Sequence, residues 1–448
     1  MKTAVLLIIV FVEAMFHSMP YPFVAYMVAD FFYWLDRNDK ETDKIVSFYA
    51  GLVASCFSLA QFISSFVWGG LSDRKGRRPI LLIGMLGNAI TAPLFGLAPN
   101  YTLAVIFRSL SGLINGNVGV ARAYAREISD ETNTEKIFSY LGFAWGIGVL
   151  IGPIIGGGLS NVTGRFPSVF TPGGFWDDYP YLLPMLVNSC IILTGLCVGY
   201  FAIEDVPRKQ IKGQGSEVLT KNRDFLVSTA IYAISGLAFL SFQEIFPLWC
   251  RALKQNGGLG FEDSGPIGLI QSLGGVSVIV FQLFLVPWAS AKYGILFVMK
   301  LAWFLCLPVF FFTPFFSYVY GVAMWLGISF LYLVFSAVQS CVLTAIGIGI
   351  NNSVSSDLVG TANGAAQSAV SLFRFIGPAA AGGIFGWSTS NGMGFPFNAH
   401  FIFILDMLLG VVSLALLFSL NEKVNKRKES INNDLSVPLI SNQKSNQN

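Results

Sequence analysis

An acid, an imidazole and two prolines stand inside the first long apolar run of the chain, MKTAVLLIIVFVEAMFHSMPYPF, with Glu13 and His17 four residues apart. On a helix that spacing puts both side chains on one face. Glu13 would lie about 14 Å along such a helix, near the middle of a hydrocarbon layer about 30 Å thick. A carboxylate beside an imidazole can take and release a proton. The same pair can also be a structural hydrogen bond. Arg108 falls about 10 Å into a later apolar run. A guanidinium keeps its proton, so Arg108 needs a carboxylate, carbonyl oxygens or an anionic ligand, and a purely structural clamp would meet that need too. Glu244, beside Gln243, stands in the outer part of another run, where it serves either a buried site or interfacial anchoring. Asn363, Gln367, Ser371 and Arg374 recur at i, i+4, i+8 and i+11. They form one polar stripe that should line a water-filled cavity.

The elements that must carry these groups follow from composition. The chain has 448 residues, 54% of them hydrophobic and only 12% charged. A water-soluble fold covers itself with polar surface, and this chain has too little. Lipid is the expected surroundings. Twelve runs are long and apolar enough to cross a bilayer, at about 4–30, 45–69, 79–98, 101–123, 137–160, 180–203, 225–249, 264–287, 295–315, 319–345, 360–387 and 399–420. They are continuous rather than alternating, which predicts helices and not a barrel. The first run continues past Glu13 to about Ala29 without an A-x-A-like cleavage site, so it reads as a spanning helix and not a signal peptide.

Two connections organise the chain. The charged stretch 204–224, EDVPRKQIKGQGSEVLTKNRD, splits the runs six and six and reads as a cytosolic linker between a bundle at 1–203 and a second at 225–420. The stretch 161–179 reads as an ordered outer loop, and the polar tail 421–448 as disordered. Lys and Arg crowd the even-numbered connections and the tail, which predicts both termini in the cytosol. Two glycosylation sequons, at Asn100 and Asn161, then fall outside. DLSVPLI (434–440) resembles an acidic dileucine sorting signal, so the destination is the plasma membrane or a vacuolar, lysosomal or endosomal membrane.

Several function classes lack their residues. There is no P-loop, HExxH, GxSxG or paired-aspartate motif, so no enzyme is expected. The net charge of +3 is too mild to suggest nucleic acid as a partner. Two histidines and six cysteines without a CxxC pair predict no metal site, disulfide or cofactor. A monomer is expected.

One short stretch carries an unusual density of charge. GGLSDRKGRRPI (69–80) joins two apolar runs and holds Asp73, Arg74, Lys75, Arg77 and Arg78. Its basic residues label a cytosolic loop, but a label needs neither Asp73 nor Gly76. The halves echo each other here: GLSDRKGR (70–77) aligns with WASAKYGI (288–295), pairing Gly76 with Gly294. IGPIIGGG (151–158) aligns with IGPAAAGG (376–383). A six-plus-six duplication fits both.

These motifs carry a resemblance. GGLSDRKGRRPILLIG is similar to the signature loop between helices two and three of the major facilitator superfamily. RSLSGLING (108–116) resembles that superfamily's fourth-helix motif. GIGVLIGPIIGG (146–157) resembles the fifth-helix motif of its proton-coupled antiporter branch. ARAYAREI (121–128) and the stretch 351–388 resemble zinc-induced facilitator-like transporters and their fungal relatives, although Arg126 stands where plant members typically have Cys.

The resemblance implies an all-α membrane protein of twelve transmembrane helices in two pseudo-symmetric halves. It implies a secondary transporter of a small solute, coupled to protons and working by alternating access. Glu13, His17, Arg108, Glu244 and Arg374 become coupling or substrate candidates, and Asn363, Gln367 and Ser371 cavity lining. Gly70, Asp73, Arg74, Gly76, Arg77 and Arg78 would form a cytosolic gate, with Asp73 facing the start of the eleventh helix and Arg74 and Arg78 completing a charge lattice. Gly148, Gly152, Pro153, Gly156 and Gly157 would form a close-packed surface at the seam between halves. The residues alone also admit a facilitator without proton coupling, and a membrane sensor or scaffold on the same fold.

Overall fold

A computed structural model describes residues 2–36, 39–129, 134–203, 219–354 and 359–425, and side chains for most of them. Most of the expected linker and tail, and the side chains of Asp73 and Arg126, lie outside the described residues. Among the described residues twelve helical spans follow one another. They are α1 (Lys2–Ser18, resumed at Val24–Phe31), α2 (Lys40–Lys75), α3 (Arg77–Gly96), α4 (Tyr101–Ile114, resumed at Asn117–Ile128), α5 (Thr134–Leu159) and α6 (Leu182–Ala202). Then come α7 (Arg223–Arg251), α8 (Gly265–Val280, continued to Tyr293 through a π turn), α9 (Ile295–Phe312), α10 (Gly321–Ser353), α11 (Val359–Ser390) and α12 (Phe401–Phe418). Eleven are long and apolar enough to cross a membrane, and the twelfth is the shorter apolar helix Thr3–Ser18.

The helices outrun the apolar stretches where polar ends cap them. α2 begins at Lys40 because Asp39 accepts a hydrogen bond from the Glu41 amide at 3.1 Å, an N-cap that satisfies an otherwise orphaned donor. Asn100 and Asn222 cap α4 and α7 in the same way. α1 is interrupted where Pro20 and Pro22 remove donors from its ladder.

Packing repeats with an offset of six helices. α1 lies along α5 as α7 lies along α11, α2 along α4 as α8 along α10, and α3 along α6 as α9 along α12. The turns between α2 and α3 and between α8 and α9 both bend at a glycine with positive φ, Gly76 at 104° and Gly294 at 83°. A side chain is strained in that conformation, which explains why the turn keeps its glycine in both halves although most of its charges differ. The halves meet where α2 lies along α11 and α5 along α8. The outward faces carry exposed Ile90, Phe201, Phe304 and Phe330, the surface a lipid solvent requires.

Candidate functional site

Glu13 is 2% exposed and sits in a cage of three asparagines. Asn88 of α3 donates from Nδ2 to both carboxylate oxygens, at 3.2 and 3.3 Å. Asn117 of α4 donates to Oε2 at 3.2 Å, and Asn115 donates to Oε1. All three amides are buried. The cage depends on a fault in α4. Residues two apart on a helix face different directions, yet Asn115 and Asn117 reach one carboxylate because the helix breaks between Ile114 and Asn117. A break frees main-chain carbonyls. Ser64 and Trp68 of α2 take up those of Gly112 and Leu113, at 3.1 and 2.8 Å. Discontinuous spans of this kind line ligand sites in membrane transporters.

His17 lies one turn above, its Nε2 3.8 Å from Glu13 Oε1. Its ring meets Phe57 edge-on at 5.1 Å and lies 6.0 Å from Trp145. Arg108 is 7% exposed, and its guanidinium stands over the Phe57 ring at 4.4 Å, with Phe95 and Phe16 at 5.6 and 5.8 Å. Such cation–π contacts gain strength when desolvated. Among the described residues Arg108 has no carboxylate within ion-pair distance.

The other half supplies the opposing charges. Glu244 of α7 interacts electrostatically with Arg108 and with Tyr21, and Arg374 of α11 with His17 and Tyr21. The structure thus brings Glu13, His17, Arg108, Glu244 and Arg374 into one neighbourhood from four helices of both halves. Glu244 is half-buried. Of the α11 stripe, Gln367 accepts from Tyr232 at 3.2 Å and Asn363 donates to Asn351. Ser371 turns back onto its own helix, donating to the Gln367 carbonyl at 2.8 Å.

At one end of the bundle the halves are tied together. Arg251 of α7 pairs with Asp43 of α2 at 3.3 Å, and both are buried. Asn256 adds a hydrogen bond to Asp43 at 2.7 Å. Arg165 forms an ion pair with Asp263, and Tyr26 donates to the carbonyls of Phe261 and Asp263 at 2.9 and 3.1 Å. Ser160 and Ser264 share a hydrogen bond. A cavity of about 230 Å³ lies among these groups, between Asp30, Tyr181 and Glu262. At the opposite end, no described residue covers Gly69 and Gly70 of α2.

The fifth-helix motif divides between two neighbours. Gly148, Gly152 and Gly156 face α1, against Ala14, Ser18 and Met19. Gly157 and the carbonyl of Pro153 meet the other half at Ser264 and Gly268, and Leu150 and Gly146 meet it one and two turns earlier, at Gly275, Val278 and Ile279 of α8. The helix thus runs beside the other half along this stretch, while the recurring face of Gly148, Gly152 and Gly156 packs within its own half. Glycines four apart share one face, and Gly157 lies about 100° round from it.

The charged turn is bound within its own half. Arg77 pairs with Glu127 of α4 at 2.8 Å, and Arg78 donates to the Tyr200 carbonyl of α6 at 2.6 Å. Arg74 is exposed. Asp73, expected to face α11, has its side chain outside the described residues. Asn100 and Asn161 both act as helix caps, and Thr163 of the second sequon donates to Asp177 at 2.8 Å. All six cysteines are free. Among the described residues no group of three His, Cys, Asp or Glu could hold a metal ion.

Sequence reasoning missed Asn88, Asn115 and Asn117. Their signal was present as amides inside apolar runs, two of them flanking a glycine in N-G-N. It missed the Asp43–Arg251 pair as well, because the two residues lie in connections of different halves and nothing in the sequence joins them.

Known proteins share this architecture. The family model described as Major Facilitator Superfamily matches residues 6–378. The chain is 31% identical over 428 residues to Protein ZINC INDUCED FACILITATOR-LIKE 1 of Arabidopsis thaliana, covering 90% of this chain and 88% of that protein. It is 27% identical to the major facilitator superfamily multidrug transporter mfsB of Aspergillus fumigatus, covering 81% and 74%. Among solved structures, a bacterial homolog to the human lysosomal transporter Spinster, inward-facing and occupied, superposes with a TM-score of 0.70 at 12% identity, over 94% of this chain and 97% of that one. The human organic anion transporter MFSD10 gives 0.65 at 15% identity, over 93% and 98%. The chain belongs to the Major Facilitator Superfamily, a family of membrane transporters rather than enzymes.

Proposed function

We propose that the protein moves a small organic or metal-chelate solute by alternating access, coupled to protons, with Glu13 as the coupling carboxylate. The carrying observation is the cage: a carboxylate 2% exposed, without a Lys or Arg partner among the described residues, held by amides from α3 and from the break in α4. A buried charge needs a counter-charge, and a proton that comes and goes supplies one. His17 stands close enough to relay it. Arg108 and Arg374 reach this neighbourhood from opposite halves, so a change in Glu13 is felt where a solute would bind. The names of the relatives, a zinc-induced facilitator-like protein and a multidrug transporter, support a transported solute without selecting one.

In this reading both termini face the cytosol, as the Lys and Arg distribution favours. The latched end then faces outward or into a lumen, and the charged turn at 69–80 closes the cytosolic end when the cycle reverses. Asp73 is the acid assigned to that gate. Asn363, Gln367, Ser371 and Arg374 line the path from the second half. The protein acts as a monomer.

The test uses purified protein in liposomes loaded with a pH-sensitive dye, challenged with organic acids, amines and metal chelates. A solute that moves protons through the wild type should move none through Glu13→Gln. Uphill transport of that solute at the wild-type rate by Glu13→Gln would remove Glu13 from the coupling role.

A further inference from the structure

The cage around Glu13 holds more than a proton needs. A proton on a carboxylate asks for one hydrogen-bond acceptor. Here three amides converge, and the break in α4 exists to add Asn117 to the set. The Oδ1 atoms of Asn88 and Asn117 are buried without a hydrogen-bond partner, although a buried carbonyl oxygen is seldom left unpaired. Rotating each carboxamide by a half-turn exchanges its oxygen and nitrogen, atoms of nearly equal size, without moving the chain.

That rotation turns the cage from a donor set into a ligand set. The two Glu13 oxygens would then face two amide oxygens across the 3.2–3.3 Å now spanned by the nitrogens. Oxygens bound at about 2.4 Å, as around an ion of calcium's size, stand about 3.4 Å apart at neighbouring octahedral positions. Asn115 is committed elsewhere: its Oδ1 accepts from Gln61 at 3.4 Å and from the Asn117 amide at 3.3 Å. It holds the break in place and keeps its Nδ2 on Glu13. Charge selects the valence. One carboxylate balances one positive charge, and a divalent ion would leave an unpaired charge in an apolar setting. An all-oxygen set excludes the softer metals.

We propose that the Glu13–Asn88–Asn117 cage binds a dehydrated, sodium-sized monovalent cation in competition with the proton. The proposal rests on Glu13 as the coupling residue and names a second ion for the same site. The charged and titratable groups near the cage are His17 on α1, Arg108 on α4 and Arg374 on α11, with Glu244 of α7 opposing Arg108. Trp145 is the α5 residue closest to His17. No second carboxylate faces Glu13 among the described residues, so proton and cation compete for one negative charge.

Full-length purified protein in lipid nanodiscs tests this at pH 8 and constant ionic strength, with sodium, potassium, calcium or choline chloride. Sodium should raise the Tm saturably above choline, and one ²²Na⁺ should bind per chain. Acidification should weaken that binding. Asn88→Ala and Asn117→Ala should each raise the apparent Kd at least tenfold, and Glu13→Gln should abolish binding. Asn117→Ser, which keeps a hydroxyl oxygen, should fall between wild type and Asn117→Ala. Equal Tm values in sodium and choline for the wild type would overturn the proposal, with no variant needed. So would ²²Na⁺ binding that survives Glu13→Gln, or stabilisation by calcium alone. A protein that loses proton-driven transport in Glu13→Gln yet ignores sodium refutes this inference and leaves the coupling role standing.

Discussion

Asn115 and Asn117 are two residues apart and donate to the two different oxygens of the Glu13 carboxylate. An unbroken α4 would aim them about 200° apart. Gly116 makes the convergence possible by sitting in the break where a Cβ would lie 2.5 Å from the Cβ of Trp68. Trp68 in turn caps the first segment by donating to Leu113 at 2.8 Å.

Gly116→Ala should therefore destabilise the protein by about 1–3 kcal/mol, the ordinary cost of overpacking. It should also lower proton-coupled transport by misplacing Asn117. Thermal unfolding and liposome flux read the two effects. Trp68→Gly removes both the Cβ, 2.5 Å from the new methyl group, and the ring atoms behind it. The double variant should then lose less stability than the sum of the single losses, as expected for residues in contact. Strict additivity would show that Trp68 does not set the break.

The contrast between what the sequence revealed and what it hid has a physical basis. Glu13 and Arg108 stood out because a charge in an apolar run is costly wherever the run goes. Gly76 and Gly294 were legible as a repeated turn because positive φ demands the same residue twice. Asn88, Asn115 and Asn117 were not legible. A neutral amide costs little on its own, and only the packing of α3 and α4 on α1 shows that three of them share one target. Asp43 and Arg251 lie 208 positions apart. Each alone reads as a loop charge, and their burial exists only in the assembled pair of halves.

The loop between α5 and α6 has its own pH dependence. Asp177 accepts from Thr163 Oγ1 at 2.8 Å and from the Gly173 amide at 3.1 Å. These bonds favour the charged form and hold its carboxyl below the usual carboxylate range. For an acid depressed in the folded state, the contribution is present above its ordinary pKa and lost as pH falls through the folded value. The loop should keep its order in a mildly acidic lumen and loosen only at strongly acidic pH. Thr163→Val should move that loosening to higher pH. Hydrogen exchange of residues 166–178 across a pH series measures both, and coincident profiles would show that the Thr163 bond does not matter.

The fifth helix allows a test of which neighbour limits motion. A Cβ on Gly157 would lie 2.7 Å from the Ser264 carbonyl oxygen, across the seam, whereas one on Gly152 would strike Ser18 of α1 in the same half. Both Gly157→Ala and Gly152→Ala should cost about 1–3 kcal/mol in thermal unfolding. Only Gly157→Ala should shift the balance between open and latched ends, because only it pushes the halves apart. Spin labels on α2 and α8 at the latched end report that balance. An equal shift in both variants would place the hinge surface on α1 rather than on the seam.

Asp43 and Arg251 are 3% and 7% exposed, and they belong to different halves. A buried ion pair gains little over water when formed, but removing one partner takes from the other charge its balancing charge in this pair, at a cost of about 3–5 kcal/mol. In the proposed alternating-access cycle that cost falls on the latched state alone, since parting the halves returns both groups to water. Asp43→Asn should therefore favour the state in which this end is open, by a factor of at least about 100 for 3 kcal/mol. The Asn256 bond to Asp43 should soften the effect, since an amide at position 43 can still accept from it. Arg251→Gln should act in the same direction. The double variant Asp43→Asn/Arg251→Gln removes both charges of the pair and should recover most of the latched population. Distance distributions between labels on α2 and α7 give the populations directly. A double variant that opens as far as Asp43→Asn alone would show that the attraction between Asp43 and Arg251, rather than the cost of an unbalanced charge, holds the end shut.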